Sequence, residues 1–279
     1  MNYINKLFSH LAFLTISLLV FICYTSETIA NQQIDSEDDF SKAENAEEKR
    51  AEWGTEEFKL ELIKEMSSAN IALFVDEHLK SINEPSRIYY KFKKESTRED
   101  TFIGNVVLNV VKIDDDRTKH ITFRYLKGRN KVRFPPQIGA KGNPVFMLFF
   151  ERDSRDMQRL TGGNALFFRS RIRHTIAATE TKNIEIDFNG EKISAMEISF
   201  QPFIKTKLKN RVSRYKTKKF VIIMSKNVPG FIYRIEAFIK DVEDPDDIVR
   251  ETLQFQGIRT NKELREEYHR KKDKEENKS

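Results

Sequence analysis

Apolar residues recur at every second position from Arg87 onward, and that alternation ties this chain to antiparallel sheet more tightly than any other feature. Ile88, Tyr90 and Phe92 point one way while Arg87, Tyr89, Lys91 and Lys93 point the other, as in a strand with one face on a core. Residues 101–113 are rich in branched side chains (Ile103, Val106, Val107, Val110, Val111, Ile113) and close at a turn, Asp114-Asp115-Asp116. Ile121, Phe123 and Tyr125 alternate up to a breaker at residues 127–130, and Val132 and Phe134 alternate up to Pro135-Pro136. Asn143-Pro144 then opens a strand over residues 145–151, whose Phe-Met-Leu-Phe-Phe centre predicts burial on both faces. The whole stretch reads as a meander.

The period changes next. Asp153 or Ser154 caps a short helix to Leu160, and Thr161-Gly162-Gly163 supplies a left-handed stop. Asn164 caps a second helix to about Ala178, with Phe168, Ile172 and Ile176 at spacing four. Alternation returns at Ile184, Ile186 and Phe188 and runs into Asn189-Gly190, the strongest hairpin signal in the chain, with a return strand over residues 193–203. Residues 220–224 and 231–239 form a second hairpin around Asn227-Val228-Pro229-Gly230, where proline then glycine suits a type II turn. Asp244-Pro245 breaks the chain, and residues 248–255 follow as a last strand or edge. Upstream, residues 53–82 have helical spacing. Thr55 caps a run holding Phe58, Leu62, Ile63 and Met66, and a second run holds Ile71, Phe74, Val75, Leu79 and Ile82 before Pro85 ends it. The fold class is therefore α+β: a large curved antiparallel sheet (meander, half-barrel or sandwich) with an N-terminal helical segment and a two-helix insertion.

Ahead of this body stands a leader. Lys6 gives a positive start, Leu11 to Cys23 is a nearly unbroken apolar run, and Thr28-Ile29-Ala30 offers small residues for cleavage. The run is too short for a membrane span, which needs about 20 residues. A signal peptide over residues 1–30, cleaved near Ala30, is the expectation, and the protein is placed in the periplasm or secreted. Cys23 is the only cysteine, so no disulfide staples the mature chain, which favours a bacterial periplasm. Residues 31–52 read as an acidic disordered linker, residues 53–258 as a single domain and residues 259–279 as a charged tail.

Charge locates the candidate binding residues. The chain carries +6 overall, and the body is the basic part. An exported basic domain meets anionic lipid, lipid-like ligands or acidic envelope proteins, and not nucleic acid. The stretch 205–219 holds eight cations and no acid, and in a strand Lys205, Lys207 and Lys209 would project from one face like a comb, with Arg211 and Arg214 beyond. Such a comb either protects a sheet edge or lands on an anionic surface. The helical pair adds Arg155, Arg159, Arg169 and Arg173, the residue type that grips carboxylates and phosphates in a fixed fork. His78, His120, His174 and His269 are scattered, so no metal is expected and no cofactor motif is present. No nucleophile elbow is found either, and enzymatic activity is not the expected role.

Two readings follow. In one, a non-catalytic envelope protein holds an apolar or amphipathic ligand in a cavity between sheet and helices, lined by some of the 22 phenylalanines. In the other, a structural or adaptor protein binds an acidic partner or anionic membrane surface through the basic stretch. A phenylalanine-lined pocket of several hundred cubic ångströms favours the first, a filled core the second. In element order alone, the outline is similar to the periplasmic lipoprotein carriers, whose open half-barrel is closed by helices.

Overall fold

Two meanders meet side by side in one curved, open sheet. The computed structural model describes residues 66–97, 99–206, 215–240 and 248–276. Its strands are β1 (Ser86–Ser96), β2 (Phe102–Ile113), β3 (Lys119–Tyr125), β4 (Gln137–Ala140), β5 (Lys182–Phe188), β6 (Glu191–Phe200), β7 (Lys219–Met224), β8 (Ile232–Lys240) and β9 (Ile248–Thr260). They lie in the order β4-β3-β2-β1-β9-β8-β7-β6-β5, and every neighbouring pair is antiparallel. The fold class read from the alternation is the one found.

That order has a consequence for the helices. The chain leaves the sheet at one edge, β4, and re-enters at the opposite edge, β5. The intervening helices α1 (Val145–Thr161) and α2 (Ala165–Ala177) make the crossing, and they cover one sheet face as they do so. Ile88, Tyr90 and Phe92 of β1, Leu253 of β9, Ile235 of β8 and Phe220 and Ile222 of β7 are buried in one core with Phe146, Phe149, Phe150 and Met157 of α1 and Phe168, Ile172 and Ile176 of α2.

Several expectations are corrected. Residues 145–151 are the first two turns of α1 and not a strand. Val145, Phe146, Leu148, Phe149 and Phe150 are all buried there, so the helical period is masked by apolar residues on every side. Asn143 and Pro144 open this helix: the Asn143 side chain accepts from the Val145 N–H at 3.2 Å, and proline suits a first turn. The expected short helix ending at Leu160 is the second half of the same rod. Val132 makes only an isolated bridge to Tyr125, and the edge strand β4 starts beyond the prolines. β9 is no edge, because it sits at the centre of the sheet between β1 and β8. Residues 261–276 form a third helix, α3 (Asn261–Glu276), started by a reciprocal cap between Thr260 and Glu263 and laced by Glu267 to Arg259 and Lys271.

Upstream of the sheet, Ser67 caps a short helical turn, Ser68–Asn70, that runs into a single wider turn over Ile71–Val75. The expected second helical run stops there, and the chain bends inward to bury His78, Leu79 and Ile82. The first run, from Thr55 to Met66, lies outside the described residues except for Met66 itself. At the other hairpins the turn chemistry holds. Asn189 and Gly190 both have positive φ, and the N–H of Phe231 closes on the carbonyl of Val228 at 2.8 Å across Pro229 and Gly230.

One buried asparagine joins four of these parts. The Asn143 amide donates to the Tyr90 hydroxyl and to the Gly230 carbonyl, each at 2.8 Å. Its backbone N–H donates to Nδ1 of His78 at 3.0 Å. Nδ1 therefore accepts, and Nε2 carries the proton and donates to the Ala72 carbonyl at 2.6 Å. Burial is the first cause holding the His78 imidazole below its ordinary value, which keeps it neutral in this network.

Candidate functional site

Helix α1 rests on the sheet through two kinds of contact. The first is a layer of aromatic rings. Phe149 lies 6.3 Å from Phe92, Phe150 lies 5.4 Å from Phe220 and 6.1 Å from Phe200, and Phe200 and Phe220 stack at 5.2 Å. These rings pack against one another between helix and sheet. Two surface clefts of mixed polar and apolar lining lie elsewhere. One, about 310 Å³, is lined by Arg87, Asn109, Val110, Val111, Arg124 and Asn261, and the other by Ile82, Asn83, Ile113 and Arg117.

The second contact is a seam of charge set into that apolar layer. Lys94 of β1 bonds Asp156 of α1 at 2.5 Å and Glu99 at 2.8 Å, and approaches Glu251 of β9 at 3.6 Å. Arg152 of α1 donates to Glu251 at 2.6 Å, with its guanidinium 4.5 Å above the Phe92 ring. Beside them Lys218, just before β7, bonds Asp153 and lies over the Phe220 ring at 5.3 Å. Lys94, Arg152, Asp153, Lys218 and Glu251 are buried, and Asp156 nearly so. Three cations thus face three carboxylates in the interface, with Glu99 a fourth at its edge.

The neighbours set the protonation of each group. Burial works against the Lys94 ammonium, yet Glu251, Asp156 and Glu99 together hold its pKa above the ordinary value. Burial also works against ionised Asp156, but the bond and charge of Lys94 keep it below the usual carboxylate range. Asp153 differs: burial outweighs Lys218 and pushes its carboxyl up to about 6. Its Oδ2 and the nearby Tyr125 hydroxyl, Arg152 Nε and Ser154 hydroxyl have no hydrogen-bond partner among the described residues. A buried network with such gaps is costly.

The candidate residues read from sequence land apart from one another. Lys205 is exposed in a turn beyond β6 and not in a strand, whereas Lys207, Lys209, Arg211 and Arg214 lie outside the described residues. Lys218 of the same stretch turns inward to Asp153, so it is not part of an outward comb. Arg155 pairs with Glu151 at 2.6 Å, Arg169 with the other oxygen of Glu151 at 2.7 Å, and Arg159 with Asp156 and Glu99 at 2.7 and 2.8 Å. These three stitch the helices to each other and to the loop after β1. Arg173 is exposed and makes no ion pair among the described residues.

Sequence reasoning missed the seam itself, although a signal was present. Lys94 continues the inward series Ile88, Tyr90, Phe92, and Glu251 lies between Val249 and Leu253 in the inward register of β9. Asp153 sits between Phe149 and Met157 on the buried stripe of α1. A charge standing in an apolar register was the mark to look for.

No protein-family model and no curated protein matches the chain. Among solved structures, a LolA-superfamily protein from Nitrosomonas europaea is similar at 11% identity and a TM-score of 0.20, over 70% of this chain and 94% of that one. The lipoprotein LppX from Mycobacterium tuberculosis is similar at 8% identity and a TM-score of 0.24, over 72% of this chain and 95% of that one. Likenesses this slight carry no argument about site or ligand. Among the described residues no helix is long and apolar enough to cross a membrane, and no three His, Cys, Asp or Glu side chains are grouped to hold a metal.

Proposed function

We propose that this chain is an exported, non-catalytic envelope protein that binds an apolar or amphipathic, lipid-like ligand between the sheet and α1. The observation that supports this reading is the charged seam within the phenylalanine layer. For a permanently closed core, six charges are a poor choice, because apolar replacements of buried ion pairs are often neutral or stabilising by about 1–4 kcal/mol. For an interface that parts, the balance differs. Once α1 lifts, water solvates Lys94, Arg152, Lys218 and the three carboxylates and returns much of their desolvation penalty. The uncovered rings then cost about 25 cal/mol for each Å² exposed, until an acyl chain covers them. The seam lowers the cost of opening, and the rings supply the affinity for what enters. The packed rings are on this reading the ligand-free, closed form.

Native mass spectrometry of protein purified from its source envelope is the test. A bound mass matching a lipid, together with uptake of a fluorescent fatty-acid analogue with a blue-shifted emission, is the expected result. Protein that carries no such mass and takes up no analogue would overturn the proposal. The cations over residues 205–219 other than buried Lys218 favour a second reading, an adaptor for an acidic partner. In that case replacing Lys205, Lys207 and Lys209 by glutamine abolishes envelope attachment and leaves the fatty-acid analogue unbound by either form.

A further inference from the structure

The corner where α1 meets α2 leaves large apolar side chains in solvent. Leu160 at the end of α1 is 46% exposed, and Leu166 and Phe167 in the first turn of α2 are 44% and 40% exposed. Ile204, in the turn after β6, is 57% exposed. It joins the same corner, because its neighbour Phe203 is buried with its ring 5.8 Å from that of Phe168, which in turn lies 5.6 Å from Phe167. The Gly162 stop and the Asn164 cap fix the helix ends, so this apolar corner is held by the fold. Single exposed apolar residues need no explanation, but four around one helix corner do.

The charge on α2 itself has one sign. α2 carries Arg169, Arg171 and Arg173 and no carboxylate. Arg171 lies one turn beyond Phe167, and Arg173 lies two turns beyond Leu166 on the outward side. Neither makes an ion pair among the described residues, nor does Lys205 beside Ile204. Leucine and phenylalanine at the tip, with unpaired arginines behind, is the make-up of a helix that lies in a membrane interface. A helix corner is convex, so it suits insertion between lipid headgroups better than seating in the groove of a partner protein. The cations select an anionic surface.

We infer that the α1–α2 corner is a membrane-docking tip that inserts Leu160, Leu166, Phe167 and Ile204 into an anionic bilayer surface, with Arg171, Arg173 and Lys205 at the headgroups. This goes beyond the ligand proposed above and does not depend on it.

Co-sedimentation of the protein, purified from its native envelope, with vesicles of phosphatidylglycerol and phosphatidylcholine tests the tip. The protein binds these vesicles and binds pure phosphatidylcholine at least about tenfold more weakly. The Leu166→Glu, Phe167→Glu pair lowers partitioning by about tenfold or more, since it both removes apolar area and adds repulsion. The pair Arg171→Gln, Arg173→Gln reduces partitioning and flattens its salt dependence. Ile138→Glu, at an exposed residue on β4, leaves binding unchanged. All three retain wild-type far-ultraviolet circular dichroism, and the Glu pair still takes up the fatty-acid analogue if the wild type does. Equal binding by the Glu pair overturns the inference. So does equal binding to neutral vesicles, or binding to soluble polyglutamate as tight as to anionic vesicles, which would point to an acidic protein partner.

Discussion

Replacing Lys218 by methionine removes one charge from the seam and keeps the length of the side chain over Phe220. It leaves Asp153 with both oxygens unpartnered, because Lys218 serves Oδ1 and Oδ2 already lacks a bond among the described residues. Breaking a buried pair from one side costs about 3–5 kcal/mol. For a body of this size, where 1 kcal/mol moves the melting point by about 2–4 °C, melting should fall by roughly 6–20 °C. The loss depends on pH. In the wild type the folded chain already holds the Asp153 proton up to about 6, while an unfolded aspartate releases it near about 3.9. Folded protein therefore binds the extra proton in that interval, and this group's contribution to stability falls as pH rises through it. Without Lys218 the folded-state pKa rises further, so the deficit of Lys218→Met is larger at pH 7 than at pH 5. The double variant Lys218→Met, Asp153→Leu has no charge left to strand and should melt within a few degrees of wild type or above it. Urea or thermal unfolding of wild type, Lys218→Met, Asp153→Leu and the double variant at both pH values closes the cycle. Additive single effects, or a single variant that loses less than about 1 kcal/mol, would refute the assignment of this pair as a desolvated, coupled contact. If α1 opens through this seam, the double variant also takes up the fatty-acid analogue more slowly than wild type.

Three further outcomes are expected around the Asn143 junction. Asn143→Ala strands the Tyr90 hydroxyl, the Gly230 carbonyl and the Val145 N–H, and at about 1 kcal/mol for each it should cost about 3 kcal/mol in chemical denaturation. A loss under about 1 kcal/mol would mean water replaces the amide. In Gly230→Ala the new Cβ would stand 2.8 Å from Ile88 Cδ1 and 2.9 Å from the Asn143 amide, at a φ of +75° that disfavours side chains. It should destabilise by about 2 kcal/mol or more, whereas Gly190→Ala, with open space at its Cβ, should lose less. His78→Gln should flatten part of the acid limb of the stability curve. The folded imidazole stays neutral while the unfolded one takes a proton below about 6.5. Stability from this group is thus present above that pH and lost below it, by at most about 1.4 kcal/mol per pH unit. Equal acid slopes in wild type and variant would remove His78 from the account.

The sheet was legible because its signals are local. Ile88-Tyr90-Phe92 and Ile121-Phe123-Tyr125 state their register in five residues each, and Asn189-Gly190 and Pro229-Gly230 state their turns in two. Residues 145–150 were misread for a physical reason. Their helix is wrapped on all sides, by Phe74 against Phe146 on one flank and Phe92 against Phe149 on another, and a run buried all round has no period to read. Only Asn143-Pro144, a helix opening, told against a strand. The place of β9 was hidden differently. A strand of branched residues after a break looks like an edge, and its insertion between β1 and β8 is decided by pairings that span the whole chain.

The seam was illegible for a related reason. A crossing from β4 to β5 must lay α1 over strands remote from it in sequence, so its charges meet partners at Lys94, Lys218 and Glu251, separated by 62, 65 and 99 positions. Each residue alone resembles the solvated end of an element: Lys94 near the end of β1, Lys218 inside a basic stretch, Glu251 near a break. Solvated ends, however, vary in register, and these do not. Lys94, Glu251 and Asp153 all occupy the phase that their elements otherwise reserve for phenylalanine, isoleucine and leucine. One such intrusion is unremarkable in a chain with 43 acids and 49 bases. Three that converge under one helix, with Arg152, Lys218 and Asp156 completing the charge balance, place the polar contact at the boundary that would have to part for anything to enter. That is why the double variant of Asp153 and Lys218 tests function as well as stability: an apolar pair there should hold the helix at least as firmly and admit ligand less readily.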